Sequence, residues 1–270
     1  MKSKVIFNKT ITLILLVATS LMLVSTLSAA ASSKKTSENI SKQKQAQEVY
    51  RLSYVEREPG VDDYEVIMLV SDRYVRIDEA DEKGGYILYD DKDKIIYSVA
   101  HHDQSILVIN QYEYSVKDSP AKAKVEYLQL ADAPEVSGNK IYNYRVYIEQ
   151  INTDTNNTEE LTCMELQLVE GLLPEVRSIL KSYQKIVSGQ QVKMTDNIMS
   201  EMQTACSFVD QIYNTGNYYD KGLPIQEWHS NESFKALTSY KKVTVSPEIF
   251  STPENYKMFS IDANSKTFIN

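Results

Sequence analysis

The sequence predicts an α+β fold in which a few helices cover an antiparallel β-sheet. From residue 63 to residue 109, apolar or aromatic side chains alternate with polar ones in short runs rich in Val, Ile and Tyr. This two-residue period is typical of half-buried strands. From residue 172 to residue 213, the apolar side chains recur instead at the spacing of amphipathic helices. The sheet and its helical cover together define the predicted class.

Short polar turns separate the predicted strands and determine how they are connected. The first strand covers residues 49–58 and ends at Pro59 and Gly60. Further turns follow at residues 71–72, 82–85, 90–93 and 102–103. A parallel crossover needs a dozen or more residues, so connections this short allow only hairpins. The sequence therefore predicts an antiparallel meander.

The strands of this meander carry apolar or aromatic side chains on both faces. Tyr86 and Leu88 share one face of their strand, whereas Ile87 and Tyr89 share the other. A sheet with one face in water would alternate more cleanly. We expect one face to pack under the helices. The other face either belongs to a second core layer or lines a groove for a ligand, and the residue pattern leaves both alternatives open.

Three further strands and two helices follow the meander. The same alternation predicts the strands, at residues 125–130, 140–150 and 161–169. The first helix is predicted over residues 172–187 and ends at Gly189, because glycine is common just after a helix. The second helix is predicted to begin near Thr195 or Asp196, either of which can cap it, and to end at Gly216.

The chain returns to strands after the helices. Residues 223–228 and 234–245 are predicted to form a hairpin, because both runs are rich in strand-forming residues and a short polar turn joins them. A proline-containing segment follows, and we expect it to dock Phe250 and Tyr256 on the domain.

The N-terminus has the three parts of a secretory signal peptide. Lys2, Lys4 and Lys9 form its basic region, residues 11–24 its apolar core, and residues 28–31 its small-residue cleavage site. We expect export to the periplasm, with cleavage near residue 30 or 31. The alternative is an uncleaved anchor in the inner membrane, which the short apolar core disfavours.

Four segments are expected along the chain. They are the signal peptide at residues 1–31, a flexible polar arm at 32–48, a single β-rich domain at 49–260 and a loose polar tail at 261–270. Loss of the signal peptide would remove three Lys and no acidic residue, which leaves 26 basic and 37 acidic side chains. Nucleic acid is therefore not expected as a partner, because its recognition needs basic patches.

The chain contains two cysteines, and the predicted export makes a disulfide the favoured interpretation. Cys163 lies in a predicted strand, and Cys206 lies in the apolar stripe of the second predicted helix. A bridge between them would close a loop of about 44 residues and contribute roughly 4 kcal/mol to stability. The alternative is a pair of free, buried thiols.

The sequence contains no strong catalytic or metal-binding signature. His101, His102 and Asp103 form the cluster that best suggests a metal, but neighbouring strand residues point to opposite faces, so a solvated turn is favoured. The acidic run at residues 90–93 lacks the glycine and the closing glutamate of a calcium loop. We expect neither a metal nor another cofactor, and we expect the protein not to be an enzyme.

Several structural motifs resemble those of a family of uncharacterised exported bacterial proteins, distant relatives of the periplasmic lipoprotein carriers of the Lol type. The motifs are RYVRID, GGYILYD, KIIYSV and SILVI in the meander, the Leu-Pro-Ile hairpin, and the F-x-x-P-x-x-Y ending from Phe250 to Tyr256. The resemblance implies a curved, unclosed half-barrel with helices on its concave face. In the carriers, the space between sheet and helices takes acyl chains.

Two functions are compatible with these features. The first is a non-catalytic periplasmic carrier for a hydrophobic ligand, such as an acyl chain, a lipid or a lipoprotein. Its candidate lining residues, chosen by their expected facing, are Tyr74, Tyr89, Tyr97, Met199, Met202 and Tyr213. The alternative is an envelope sensor or interaction module that binds a protein partner through a sheet edge or groove. An unfilled cavity would favour the carrier, and a solid core with an exposed apolar patch would favour the module.

Overall fold

The computed structural model describes residues 46–79, 84–113, 123–151, 157–195, 204–262 and 265–269. The predicted signal peptide and nearly all of the predicted arm lie outside the described residues, as do Met199 and Met202. The described chain has the predicted α+β class, because it forms one unclosed sheet accompanied by a few helices.

A sheet of thirteen strands dominates the fold. In chain order, the strands are β1 (Gln47–Arg57), β2 (Tyr64–Val70), β3 (Tyr74–Glu79), β4 (Gly85–Asp90), β5 (Ile95–Ala100), β6 (Ser105–Asn110), β7 (Ala123–Gln129), β8 (Ile141–Ile151), β9 (Thr158–Val169), β10 (Leu223–His229), β11 (Phe234–Val245), β12 (Lys257–Asp262) and β13 (Ser265–Ile269). Across the sheet, their order is β13-β12-β6-β5-β4-β3-β2-β1-β11-β10-β9-β8-β7. The sheet therefore has two ends, β13 and β7.

The first six strands form the predicted antiparallel meander, in which each strand pairs with the next. Alternation along these strands produces two faces. The helix-covered face of the meander is defined by Leu52, Met68, Val75, Tyr89 and Ile96. The opposite face is defined by Val49, Leu69, Tyr86, Leu88 and Val99.

One neighbour of the meander runs parallel, so the sheet is not wholly antiparallel as predicted. In β12, Lys257 lies opposite Ser105 of β6, and Ser260 lies opposite Val108. The last strand, β13, then pairs with β12 in the antiparallel direction. Residues 265–269 were expected in a loose tail and instead form this strand. No strand was predicted at β12 either, because its partner β6 is far away in the chain and local alternation does not reveal such a pairing.

The second half of the sheet begins at the pairing of β1 with β11. This pairing extends from Gln47 opposite Val245 to Arg57 opposite Phe234. β10, β9, β8 and β7 follow in that order, and each is antiparallel to its neighbours. The predicted hairpins β8–β9 and β10–β11 are both present. The first strand of the described chain therefore lies in the interior of the sheet and joins its two halves.

Two α-helices accompany the sheet in the described part of the chain. The first, α1 (Pro174–Thr195), packs Val176, Ile179 and Leu180 among the residues of the helix-covered face. The second, α2 (Ala205–Tyr213), packs Cys206 and Val209 into a cluster with side chains of β8 and β9. Short 3₁₀ turns follow at Asn217–Asp220 and Pro247–Phe250.

The predicted end of α1 at Gly189 is wrong, because the helix continues through this residue to Thr195. Glycine inside a helix costs only about 1 kcal/mol relative to alanine, and tertiary contacts offset a cost of this size. The Ser188 hydroxyl donates a hydrogen bond to the carbonyl oxygen of Asn214. The Gln184 side chain donates to the same carbonyl at 3.0 Å. These contacts hold the helix around the glycine.

The predicted start of the second helix also differs from the structure. Thr195 is the last residue of α1, and Asp196 lies outside the described residues. Within the described chain, α2 begins at Ala205. Thr204 supplies its cap, because the Thr204 hydroxyl accepts a hydrogen bond from the backbone N–H of Ser207 at 3.1 Å.

The predicted disulfide is confirmed. Cys163 of β9 and Cys206 of α2 have their sulfur atoms 2.04 Å apart, and both residues are buried. The bridge therefore links the shorter helix to the sheet, and the alternative of two free thiols is wrong. A buried disulfide is typical of proteins from an oxidising, exported environment.

The C-terminal segment covers the opposite face of the meander. Phe250 is buried there and stacks on Tyr74, with ring centroids 5.3 Å apart. The Arg76 guanidinium donates to the carbonyl oxygen of Ile249 at 2.8 Å and lies 3.7 Å from the ring centroid of Tyr86. The predicted docking of Phe250 is confirmed. Over these strands, the second face of the sheet belongs to a second core layer.

Loss of the disulfide should lower the free energy of unfolding by roughly 2–5 kcal/mol, because the bridge restricts the unfolded chain. We would compare the Cys163→Ala/Cys206→Ala variant with the wild type by urea denaturation. A reductant should destabilise the wild type by a similar amount and leave the variant unchanged. If neither the substitutions nor the reductant moved the unfolding midpoint, the bridge would have no stabilising role.

Candidate functional site

Tyr89 is the predicted lining residue that lies between the sheet and α1. It is fully buried, and its ring centroid is 5.8 Å from that of Tyr183 on the helix. Its hydroxyl donates a hydrogen bond to Oδ1 of Asp91 at 2.7 Å. Burial raises the pKa of Tyr89, and the Asp91 carboxylate adds to the shift. Tyr89 is therefore buried between the sheet and α1 and packs against Tyr183.

Tyr74 and Tyr97 lie on the other side of the sheet from Tyr89. Both pack against the cluster of the opposite face, to which Phe250 also belongs. The register explains the separation. Tyr89 is directly opposite Val75, the neighbour of Tyr74, and successive residues of a strand point to opposite faces. These three tyrosines therefore do not line one space.

Tyr213, the fourth predicted lining residue in the described chain, belongs to α2. Its side chain packs against the cluster beneath that helix, and its hydroxyl donates to the carbonyl oxygen of Ala123 at 3.3 Å. Met199 and Met202 lie outside the described residues. The predicted lining residues are thus distributed over three places, and their binding of a ligand stays a prediction.

A cluster of charged and tyrosine side chains, absent from the sequence analysis, lies on the helix-covered side of the sheet. We call it the lysine cluster and define it as Tyr54, Glu56, Glu227 and Lys235. Lys235 of β11 is opposite both Glu56 of β1 and Glu227 of β10, so three strands place these side chains in one row. The Lys235 Nζ lies 3.0 Å from Oε1 of Glu56 and 4.5 Å from the ring centroid of Tyr54.

The lysine cluster is largely removed from water. The side chains of Lys235 and Glu56 are 23% and 19% exposed. Burial acts to lower the pKa of Lys235, but Glu56 and Glu227 outweigh it and hold that pKa well above its usual range. Burial raises the pKa of Glu227, although Lys235 opposes this shift. Lys235 therefore stays protonated and acts as a fixed positive charge, unlike a lysine nucleophile, whose pKa must be lowered.

α1 approaches the lysine cluster through Tyr183. Burial raises the pKa of Tyr183 to about 12, Lys235 opposes the shift and Glu56 adds to it. The sequence carries a weak signal for this site. Glu56 follows Tyr54 by two residues and so shares its face of β1, which places a charge on an inward-facing position.

A small cleft lies beside the N-terminal end of α1. Its volume is about 160 Å³, and its lining includes Glu48, Tyr50, Asp72, Glu175 and Lys242. The Tyr50 hydroxyl donates to Oε1 of Glu175 at 3.2 Å, and Nζ of Lys242 lies 3.0 Å from Oε2 of Glu48. Sites for drug-sized ligands usually measure about 300–1,000 Å³, so this cleft accommodates only a few atoms.

The His101–Asp103 cluster forms a turn between β5 and β6. Nδ1 of His101 lies 2.9 Å from the hydroxyl oxygen of Tyr256, and the His101 ring also contacts Tyr86. Nε2 of His102 lies 3.7 Å from Asp103 and is well exposed. Within the described ranges, no three His, Cys, Asp or Glu side chains are grouped to hold a metal ion. His101 instead helps to dock Tyr256, which confirms the predicted position of that residue.

β7 is an end strand of the sheet with exposed apolar side chains. Val125 is 46% exposed and Leu128 is 56% exposed. The seven residues AKVEYLQ contain neither proline nor glycine. The register with β8 is unbroken from Ala123 opposite Ile148 to Gln129 opposite Tyr142. Proline and bulges are usual protections of an edge strand, and β7 has neither, although it carries another usual protection, a lysine.

Charged side chains flank the exposed centre of β7. Lys124 pairs with Glu149 of the neighbouring strand, and Oε2 of Glu126 lies 3.6 Å from Nε of Arg145. Lys124 and Glu126 are 55% and 43% exposed, so both side chains also face water. The outer side of β7 therefore presents backbone groups, one exposed valine and a charge of each sign. Among the strands of the described chain, only β8 pairs with β7.

Neither α-helix in the described ranges combines the length and the apolar character needed to cross a membrane.

Comparisons with known proteins define no family for this chain. No family model matches it, and no curated protein matches it. Among solved structures, it is similar to an uncharacterized conserved protein from Thermus thermophilus, with 7% sequence identity and a TM-score of 0.38 over 79% of this chain and 90% of that chain.

The chain is also similar to PNGF-II. Two structures, which differ in their space group, show 12% and 10% sequence identity, each with a TM-score of 0.37. The similarity covers 80% of this chain but only 31% and 32% of the PNGF-II chains, so this chain spans about one third of their length. TM-scores this low carry no argument about fold or function.

The two glutamates of the lysine cluster should respond in opposite ways to replacement by glutamine at neutral pH. Glu56→Gln removes the charge 3.0 Å from Lys235 and should destabilise the protein by about 1–3 kcal/mol. Glu227→Gln should instead stabilise it, because burial disfavours the ionised form of Glu227. Urea denaturation at pH 7.5 checks both signs. Equal destabilisation by the two substitutions would contradict this account.

The advantage of Glu227→Gln should also depend on pH. A carboxyl whose pKa is raised by folding is protonated more readily in the folded state than in the unfolded state. Its contribution to stability is present below the unfolded pKa, about 4.3, and is lost as pH rises through the folded pKa. The stability difference between variant and wild type should therefore be small at pH 4 and grow towards pH 7.5. A difference that does not change with pH would contradict the raised pKa.

Proposed function

We propose that this chain is a non-catalytic, exported binding module that recognises a protein partner by adding the partner's strand to β7. The observation that carries the proposal is the outer edge of β7, with Val125 and Leu128 exposed on a strand that has an unbroken register. A partner strand would supply hydrogen bonds to the outward-facing backbone groups of this edge, and its side chains would cover the two apolar residues.

The buried side chains on both faces of the meander support binding at the edge rather than within the fold. On the helix-covered face, Leu52, Val75 and Tyr89 are fully buried under α1. On the opposite face, Phe250 covers the meander. Buried apolar clusters on both faces of the meander, together with an exposed apolar edge, favour an interaction module.

The periplasm is the proposed location, and an envelope protein is the proposed class of partner. The buried Cys163–Cys206 disulfide supports an oxidising compartment outside the cytoplasm. The predicted signal peptide supports the same route, although its residues lie outside the described chain. We also propose the distant relationship to Lol-type carriers, with a curved half-barrel whose helices lie on the concave side. The unclosed sheet with α1 packed on one face supports it.

The carrier for a hydrophobic ligand stays a prediction, and it is the alternative to the interaction module. An acyl chain between sheet and helices would have to displace side chains such as Tyr89 and Leu180, which fill that layer. Protein purified without detergent should therefore show a native mass equal to that of the polypeptide, and its organic extract should contain no lipid. A stoichiometric lipid or fatty acid in both measurements would favour the carrier over the module.

Substitution at the β7 edge should abolish partner binding and leave the fold intact. We would compare Val125→Asp/Leu128→Asp with Leu161→Asp, which adds a charge at an exposed apolar residue of the interior strand β9. Exposed substitutions usually change stability by no more than about 0.5 kcal/mol. Envelope proteins retained by the wild type and the control, but lost by the double variant, are the candidates for purification.

Hydrogen exchange then decides whether a purified candidate binds β7. Its addition should slow the exchange of backbone amides in Ala123–Gln129, because strand addition pairs the outward-facing N–H groups. Protection confined to another surface, or equal binding by the double variant, would refute the proposed function.

A further inference from the structure

We infer that the strand added to β7 is β7 of a second copy of this chain, in a two-fold symmetric, antiparallel pair centred on Val125. This inference rests on the proposed function and names its partner. The supporting observation is the sequence Lys124–Val125–Glu126 at the exposed edge, where opposite charges flank an exposed valine. In an antiparallel pair, such a tripeptide is complementary to itself.

Symmetry limits the registers that two β7 strands can adopt. A two-fold axis perpendicular to the sheet keeps each residue on the same face in both copies. Directly opposite residues of an antiparallel pair share a face, whereas successive residues of one strand do not. One residue of β7 must therefore lie directly opposite the same residue of the second copy, and the axis passes between these two equivalent residues. The central positions to compare are Lys124, Val125, Glu126 and Tyr127.

Among the described residues of β7, Ala123–Gln129, only the register centred on Val125 pairs opposite charges. It places Lys124 opposite Glu126 of the second copy, and the symmetry repeats this contact. Centring on Lys124 or on Glu126 places that residue opposite itself, and directly opposed like charges are destabilising. Centring on Tyr127 places Glu126 opposite the apolar Leu128, so Glu126 gains no opposite charge from the second copy.

Side-chain size and position also fit the Val125-centred register. The two Val125 side chains meet at the axis, which covers a residue that is 46% exposed in one chain. Ala123 lies opposite Tyr127 of the second copy, so a small side chain faces a large one. Both Ala123 and Tyr127 pack against the cluster beneath α2 in their own chain. The apolar layer on that side of the sheet thus continues across the axis.

The pair should be weak and concentration-dependent. The contact involves one short strand from each copy, whereas stable protein interfaces bury about 1,200–2,000 Å² in total. Lys124 and Glu126 already have partners in their own chain, Glu149 and Arg145, but both remain close to half exposed. A second charge of opposite sign can therefore approach each of them without breaking the existing pair.

Charge reversal tests the register. We would prepare Lys124→Glu and Glu126→Lys separately and measure their mass by sedimentation equilibrium over a range of concentrations. In either variant alone, the symmetric pair brings like charges together twice, so dimerisation should weaken at least tenfold. In an equimolar mixture, the carboxylate introduced in one variant faces the ammonium introduced in the other, and Glu126 of the first variant faces Lys124 of the second. The mixture should therefore form heterodimers as readily as the wild type dimerises.

The control is Lys242→Glu, which reverses a similarly exposed charge on the interior strand β11. It should dimerise like the wild type. Circular dichroism should give all variants the same spectrum and confirm that they are folded. A monomeric wild type at the highest concentrations would overturn the inference, as would unimpaired dimerisation of the single variants or a mixture that stays monomeric.

The failure of this inference is distinguishable from the failure of the proposed function. A monomeric wild type whose β7 amides are still protected by another envelope protein would overturn the second copy as partner and leave the β7 edge as the binding surface. A dimer that forms normally in Val125→Asp/Leu128→Asp would overturn this inference alone, because such a dimer would not use β7. Protection of the β7 amides by an envelope protein would still decide the proposed function. Loss of the dimer in that variant, with rescue in the charge-swapped mixture, would support both.

Discussion

The pairing of β1 with β11 is the contact on which the rest of this sheet depends. It joins Gln47 to Val245 at one end and Arg57 to Phe234 at the other, and so connects the antiparallel meander to the strands from β10 to β7. Side chains of β1 enter the core on both faces, because Leu52 packs under α1 and Val49 belongs to the opposite cluster. Without this pairing, each half would expose a long interior edge.

The covers of the sheet differ in how they are held. α1 spans 22 residues and contributes a row of apolar side chains to the largest cluster. α2 has only nine residues, fewer than an isolated helix needs for stability in water. The disulfide from Cys206 to Cys163 supplies what the short helix lacks, because it ties the helix covalently to β9. The C-terminal segment has neither a long helix nor a disulfide. It is held instead by the stacking of Phe250 on Tyr74 and by the hydrogen bond that Arg76 donates to the carbonyl oxygen of Ile249.

Local pattern was sufficient for the strands from β1 to β11, for their hairpins and for the disulfide, because each depends on neighbouring residues or on the two cysteines alone. It was insufficient wherever distant segments meet. Gly189 stays helical because contacts from Asn214 stabilise the helix around it. Glu56, Lys235 and Glu227 lie in one row because the registers of β1 with β11 and of β11 with β10 place them opposite each other. The sequence of a single strand does not reveal these registers. For the same reason, Tyr74 and Tyr89 were expected to line one space but lie on opposite faces of the sheet. The alternation within each strand does not give the register between the two strands.

An unclosed sheet leaves a problem that covering its faces cannot solve. Helices and the C-terminal segment remove apolar side chains from water, but the outer backbone groups of an end strand still need partners. A lysine on an edge strand usually prevents association, because two copies bring like charges together. On β7, Glu126 follows Lys124 by two residues and changes that outcome. A register centred on Lys124 or on Glu126 brings like charges together, whereas the register centred on Val125 places Lys124 opposite Glu126. In the dimer we infer, Lys124 and Glu126 therefore favour the register centred on Val125 instead of preventing association.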